Sequence, residues 1–203
     1  YAVVSYQTAW LKYYYPVEFM AALMTSVIDN PGKVSEYIYS CRQMGIKILP
    51  PDINKGEGSF SVDGGNIRYG LAAIKSIGKP VIESIIQERK NGGEFSNLKD
   101  FIERLSGKEV NKRTIESFIK SGAFDSLGGT RKQFMVVYVQ ILDQVNRERK
   151  YSMTGQLSLF DIVSDDQKSE FDIPLPDVGE YEKETKLAFE KEVLGVYLSL
   201  IHI

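Results

Sequence analysis

Apolar residues recurring at helical spacing, polar N-cap residues just ahead of them, and one short alternating stretch around an Asp-Gly turn predict a mainly α fold with a small β-hairpin. At 203 residues and 43% hydrophobic, the chain can bury the core of one or two compact units.

Val3, Val4, Trp10 and Leu11, then Phe19, Met20, Leu23, Met24 and Val27, predict two helices broken near Tyr15 and Pro16, because proline disfavours helical backbone in the residue before it. Both are expected to be largely buried. Asn30 as N-cap and Pro31 at the first helical position open a third helix, along which Val34, Tyr37, Ile38 and Cys41 share a face until Gly45 ends it. A short apolar run, Ile46 to Leu49, meets Pro50 and Pro51. Residues 59–62 and 66–69 then flank Asp63 and Gly64 as the two arms of a hairpin. From Gly70 to Lys150 the pattern is a series of short helices: 71–75, 80–90, 98–105, 112–121 and 131–149, with Asn97, Asn111 and Thr130 as N-caps. Residues 151–179 mix Ser, Asp, Gln, Gly and Pro and read as a mobile linker. A last helix, about 180–191, leads into 193–198, which reads as the first strand of a further unit.

Composition removes several classes of chemistry. One cysteine, Cys41, cannot form an internal disulfide, and one histidine, His202, completes no zinc spacing. There is no Asp-x-Asp pair, and the adjacent Asp165 and Asp166 read as part of a solvated acidic linker, so no catalytic residue, metal site or cofactor is expected. No run of about 18 apolar residues suggests a membrane span, no signal-peptide pattern opens the chain, and a cytoplasmic setting is the default. Both ends read as cut, Tyr1 inside an apolar helical stretch and Ile203 inside a strand-like one.

Charge is distributed unevenly around a net of −2. Residues 68–150 carry 16 Lys/Arg against 10 Asp/Glu, whereas residues 151–203 carry 4 against 11. A basic middle and an acidic end suit a module that faces phosphate beside one that does not; ordinary helix-surface charge is the alternative. Within the basic part, helices at Gly70 to Ser76 and Pro80 to Lys90 meet around Ile77, Gly78 and Lys79. Such a turn needs glycine to bring backbone N–H groups within reach of a phosphate, and the second helix points its positive end at the same oxygen. Lys75 and Lys79 add charge, giving binding without sequence preference that salt weakens. A plain αα-hairpin packed into a core fits the same spacing. A second pair, Lys112 to Ser121 followed by Gly122, Ala123 and the helix from Arg131, repeats the pattern with Lys112, Arg113, Arg131 and Lys132 nearby.

Gln156, Leu157, Ser158, Leu159 and Phe160 form an apolar island in the polar linker. Exposed leucine and phenylalanine in such a setting suggest a partner with a hydrophobic pocket. The peptide resembles those taken by bacterial sliding clamps, which implies that Gln156 bonds at the pocket rim while Leu157, Leu159 and Phe160 fill it. Folding back on the preceding helix is the other reading.

Taken together, the features are similar to the alpha subunit of bacterial DNA polymerase III, a DnaE-type C-family polymerase. Ser5, Tyr6, Gln7, Thr8, Tyr15, Pro16, Glu18, Phe19 and Met20 resemble the end of that family's fingers region. Met44 to Lys47, Pro50, Pro51, Asp52 and Asn54 continue the likeness, as do Val110 to Arg113 and Ser121 to Asp125. Two departures stand out: Ser76 occupies the place of the family hairpin's first glycine, and Leu200 to Ile203 replace the Gly-His-Pro that usually follows Ser199, leaving His202 without a role. The resemblance implies a region end of fingers (1–30), a tandem helix-hairpin-helix DNA-binding module (31–150), a linker with a clamp peptide (151–179) and a lead-in to an OB-like domain (180–203). It further implies template-directed DNA synthesis by the intact protein, with Mg2+ held by carboxylates of a palm domain outside this chain. Expected DNA contacts are Lys75, Ser76, Ile77, Gly78, Lys79, Lys112 and Arg113; expected partners are double-stranded DNA, the sliding clamp and other replisome subunits, with no membrane. Two other readings are a non-enzymatic DNA-binding adaptor or repair scaffold carrying a clamp peptide, and a basic segment that is purely structural.

Overall fold

A computed structural model describes residues 1–107, 110–153 and 173–198, with side chains for all of these except 151–153. Two helices open the chain, α1 (Ala2–Tyr14) and α2 (Pro16–Ser26), separated by Tyr15 at φ −133° and ψ 59°, the non-helical backbone imposed on a residue before proline. The expected burial holds for α2, where Met20, Ala21 and Met24 are inside, and fails for α1, which buries no residue. Helix α1 packs chiefly on α2, and Trp10, Tyr13 and Tyr14 remain exposed, with Trp10 and Tyr14 rings 4.9 Å apart.

In α3 (Pro31–Gln43) the Asn30 side chain accepts the Lys33 N–H at 3.1 Å, one of the helix's otherwise orphaned donors. Val34, Ile38 and Cys41 form its buried stripe. Burial pushes the Cys41 thiol from 9.0 up to about 11, so it is a protonated core residue and not a nucleophile.

Strands β1 (Ile48–Leu49), β2 (Ser61–Asp63) and β3 (Asn66–Arg68) form a sheet in the order β1-β3-β2. Ile67 pairs with Ile48 in parallel and with Val62 in antiparallel fashion. The turn falls one residue later than the Asp63-Gly64 signal suggests. Gly64 and Gly65, at φ 57° and 77°, both take left-handed backbone, the geometry that matches the twist of a two-residue hairpin, and Asp63 joins the ladder opposite Asn66. Arg68 then reaches back to Asp63 at 2.7 Å and donates to the Pro50 carbonyl at 2.9 Å.

A single 3-10 turn (Leu71–Ala73) stands where a helix over 71–75 is expected, because Ile74 returns to extended backbone. Helices α4 (Lys79–Gly92), α5 (Leu98–Arg104), α6 (Lys112–Ser121) and α7 (Arg131–Met153) follow. Asn97 and Asn111 cap α5 and α6 as expected, accepting from Asp100 and Thr114. Thr130 and Gln133 exchange backbone-to-side-chain bonds in a capping box at the head of α7.

The expected linker narrows. Ile173 packs on the core, the Pro176 and Gly179 carbonyls accept from Gln133 and Thr130, and Glu180 receives the N–H groups of Arg131 and Lys132. Helix α8 (Lys183–Leu194) then lies against α6. The strand expected over 193–198 does not form. Val193 and Leu194 complete α8, Gly195 closes it in left-handed backbone at φ 75°, and Val196 and Leu198 are buried. The apolar run that suggested a strand is a core anchor.

Rings of Phe95, Phe101, Phe118, Phe124 and Phe134 interlock at the junction of α5, α6 and α7, with Phe101 and Phe124 centroids 4.9 Å apart at 72°. Phe124→Ala empties the middle of this cluster and should cost about 3–5 kcal/mol in urea unfolding of the whole chain; a loss under about 1 kcal/mol would mean the cluster relaxes freely.

Candidate nucleic-acid interface

Ser76 is the one non-glycine residue at positive φ among the described residues, at 70°. An L side chain there crowds its own carbonyl, a cost of roughly 1–2 kcal/mol that glycine avoids. Serine therefore occupies the left-handed place a glycine would fill without strain. Gly78 takes ordinary extended backbone, φ −80° and ψ 153°, and a Cβ on it would meet only the Pro80 ring at 3.6 Å. Its contribution is openness, not conformation. The N–H groups of Ser76, Gly78 and Lys79 donate to no acceptor among the described residues, and Pro80 has none to offer. Free donors thus cluster at the positive end of the 14-residue α4.

The other expected contacts divide. Ile77 is half-buried and packs on the core, holding the turn in place. Lys79 is exposed and has no acidic partner among the described residues. Lys75 is committed elsewhere: its N–H donates to the Val193 carbonyl at 2.8 Å and its Nζ to the Glu192 carbonyl at 2.9 Å. A lysine against the last carbonyls of α8 is a favourable cap of that helix's negative end. Lys112 forms an exposed ion pair with Asp143 at 3.5 Å, a contact of about 0–1 kcal/mol that does not hold it from other anions.

Arg113 lies on the exposed face of α6 without an acidic partner among the described residues, and the fold brings it beside the first turn. Lys75, Ser76, Arg113, Glu116, Lys120 and Glu192 line one cleft of about 430 Å³. Arg113, Ser117 and Lys120 follow the i, i+4, i+7 stripe of a helix, a signal readable from the sequence. Glu192, from α8, carries no such signal. Lys120 Nζ sits 2.8 Å from both Glu116 and Glu192; burial works against its charge, but the two carboxylates outweigh it and hold the ammonium above its ordinary pKa.

Arg131, grouped with the basic residues of the second turn by sequence, is unavailable to a ligand. Its side chain is 6% exposed and spans Asp125 at 2.8 Å and the buried Glu190 at 3.4 Å. Burial opposes its charge, yet these acids keep it above its ordinary pKa. Gly122, at φ 82°, lies so close that a Cβ would overlap the Arg131 guanidinium. The second turn is therefore a locked corner. Gln156, Leu157, Leu159 and Phe160 lie outside the described residues. No group of three or more metal-ligating side chains occurs among the described residues, and none of their helices is long and apolar enough to cross a membrane.

A 3-10 turn leading into α4, whose start carries N–H groups without an acceptor among the described residues, and α6 joined to the start of α7 through residues 122–130 all fall within residues 45–134, which the helix-hairpin-helix motif family matches. Over 202 residues the chain is 42% identical to the DNA polymerase III subunit alpha of Mycobacterium tuberculosis (strain H37Rv), covering 98% of this chain and 17% of the relative. The corresponding proteins of Vibrio cholerae and of Neisseria meningitidis serogroup B are each 42% identical over 200 residues, with the same coverage. Over nearly its whole length the chain is thus similar to DNA polymerase III alpha subunits, and it spans about 17% of the length of the curated relatives it matches.

If the Ser76 backbone is the strained point of the turn, Ser76→Gly should raise stability by about 0.5–1 kcal/mol, the relief being partly offset by glycine's greater freedom in the unfolded chain. Ser76→Val should lower it by roughly 1–2 kcal/mol. Thermal unfolding of both variants checks the pair, and equal melting temperatures would refute the assignment.

Proposed function

We propose that this chain is the part of a DNA polymerase III alpha subunit that holds duplex DNA by its backbone, with the Ser76–Lys79 turn as the principal contact. One observation carries the reading: the N–H groups of Ser76, Gly78 and Lys79, at or just before the positive end of α4, have no acceptor among the described residues, and all three residues are exposed. Such a point suits a phosphate oxygen and carries no base information. Lys79 adds a free cation beside it, and Arg113 and Lys112 extend the positive surface onto α6. The relatives' name supports template-directed DNA synthesis as the activity of the intact protein. Its metal-bound carboxylates, and the Mg2+ they would hold, then belong to a palm domain outside this chain.

Duplex affinity of the whole chain, followed by fluorescence anisotropy against salt, tests the grip. Lys79→Gln should weaken binding equally for unrelated sequences and reduce the slope of log K against log salt by about 1. Unchanged affinity and slope would leave the turn a purely structural αα-hairpin.

The same protein is proposed to dock on the sliding clamp through Gln156, Leu157, Leu159 and Phe160. The support is compositional, an apolar island amid acidic residues such as Asp161, Asp165 and Asp166. Leu159→Ala with Phe160→Ala should abolish capture of the chain by immobilised clamp, while duplex affinity stays unchanged; retained capture would refute the anchor assignment.

A further inference from the structure

The cleft beside the first turn shares Ser76 with it and is lined by Lys75, by Arg113, Glu116 and Lys120 of α6, and by Glu192 and Val193 of α8. Arg113 has no partner among the described residues. Lys120, 14% exposed, is shared by two carboxylates at equal 2.8 Å distances, and those carboxylates are unequally held: Glu116 is 39% exposed and Glu192 59%. The side chain of Glu192 thus meets Lys120 from the solvent side, while the carbonyls of Glu192 and Val193 fix the backbone beneath it to Lys75. Of the two carboxylates on Lys120, that of Glu192 is the more exposed and is the one an incoming anion would exchange with. The backbone tie keeps α8 in place when the side chain swings away.

We infer that this cleft is a second phosphate-binding position, with Arg113 and Lys120 as its cations and the Glu192 carboxylate as a resident counter-anion that the incoming phosphate displaces. The inference rests on the duplex-grip reading and adds to it a residue that weakens binding. The ligand is a backbone phosphate of the same duplex held at Ser76–Lys79. A carboxylate that must leave before a phosphate can enter lowers affinity and cancels one cation's contribution to the salt dependence.

The test uses the whole chain, a random-sequence duplex and anisotropy at several salt concentrations. Glu192→Gln should tighten binding about twofold to fivefold, the strength of one exposed ion pair, and steepen the salt slope by about 1. Glu184→Gln, an equal charge change on an exposed position of α8, should give less than half that gain. In a Lys120→Gln background the gain from Glu192→Gln should vanish, and Arg113→Gln, which breaks no contact in the fold, should weaken binding and flatten the slope. Thermal unfolding of each variant separates loss of the cleft from loss of the fold. If Lys79→Gln weakens binding but Glu192→Gln matches Glu184→Gln and Arg113→Gln is silent, the cleft inference fails while the grip stands. If Glu192→Gln weakens binding, the carboxylate positions Lys120 instead of competing for it, and the inference fails. If no duplex binds even at low salt, both readings fall together.

Discussion

Edge-to-face contact between Phe101 and Phe124, with Phe95, Phe118 and Phe134 closing around them, sets where the second turn lies relative to everything else. Rings meeting this way combine large apolar area with angular preference, so they fix orientation as well as proximity. From this cluster the position of the first turn follows through two polar ties. Asn54 pairs its amide with the backbone of Phe95, at 2.8 and 2.9 Å, and the Ile53 N–H donates to the Ala123 carbonyl at 3.1 Å. Arg89 of α4 then clasps the Ile53 and Gly56 carbonyls. The Pro-Asp-Ile-Asn loop is thus the hinge pin between the turns, which gives a physical reason for residues that otherwise mark only a resemblance.

The basic character of residues 68–150 has a different meaning in three dimensions. Arg68, Arg89, Arg104 and Arg131 have side chains only 10, 13, 18 and 6% exposed, and each is tied to an acid and to backbone carbonyls. Their planar, multi-donor heads satisfy loop carbonyls that no regular structure covers. These four cations staple loops together and contribute little to an outward field. The exposed cations of the segment are others, among them Lys79, Lys90, Lys112, Arg113, Arg147 and Arg149. A residue count therefore overstates the outward positive charge of this segment.

Legibility from sequence follows the range of the forces involved. Helices α3, α5 and α6 were readable because Asn30, Asn97 and Asn111 act within three residues of themselves. The special status of position 76 was readable too, as a serine where a glycine is usual, although only the φ of 70° says what the glycine would be for. Features set by distant partners were not. The exposure of α1 depends on what packs over it, the fate of 193–198 on the core beneath it, and the burial of Arg131 on Glu190, 59 residues away. Lys120 could have been found on the helical stripe of Arg113, but its pairing with Glu192 crosses 72 residues and leaves no local trace.

That same long reach makes the C-terminal segment part of the first turn's support. Glu180 and the Gly179 carbonyl cap the start of α7, Glu190 closes on Arg131, and the Val193 and Leu194 carbonyls accept from the Lys75 N–H and the Tyr69 hydroxyl. Removing residues beyond 150 would expose the Arg131 guanidinium's inner face, strip α6 of one of its packing partners and free the backbone immediately before Ser76. A left-handed serine persists only where its surroundings over-determine it. Here the α8 carbonyl that holds Lys75 supplies that determination from across the chain. The geometry of the turn is consequently a property of the folded whole, and a piece ending at 150 would carry the residues of the turn without the constraint that shapes it.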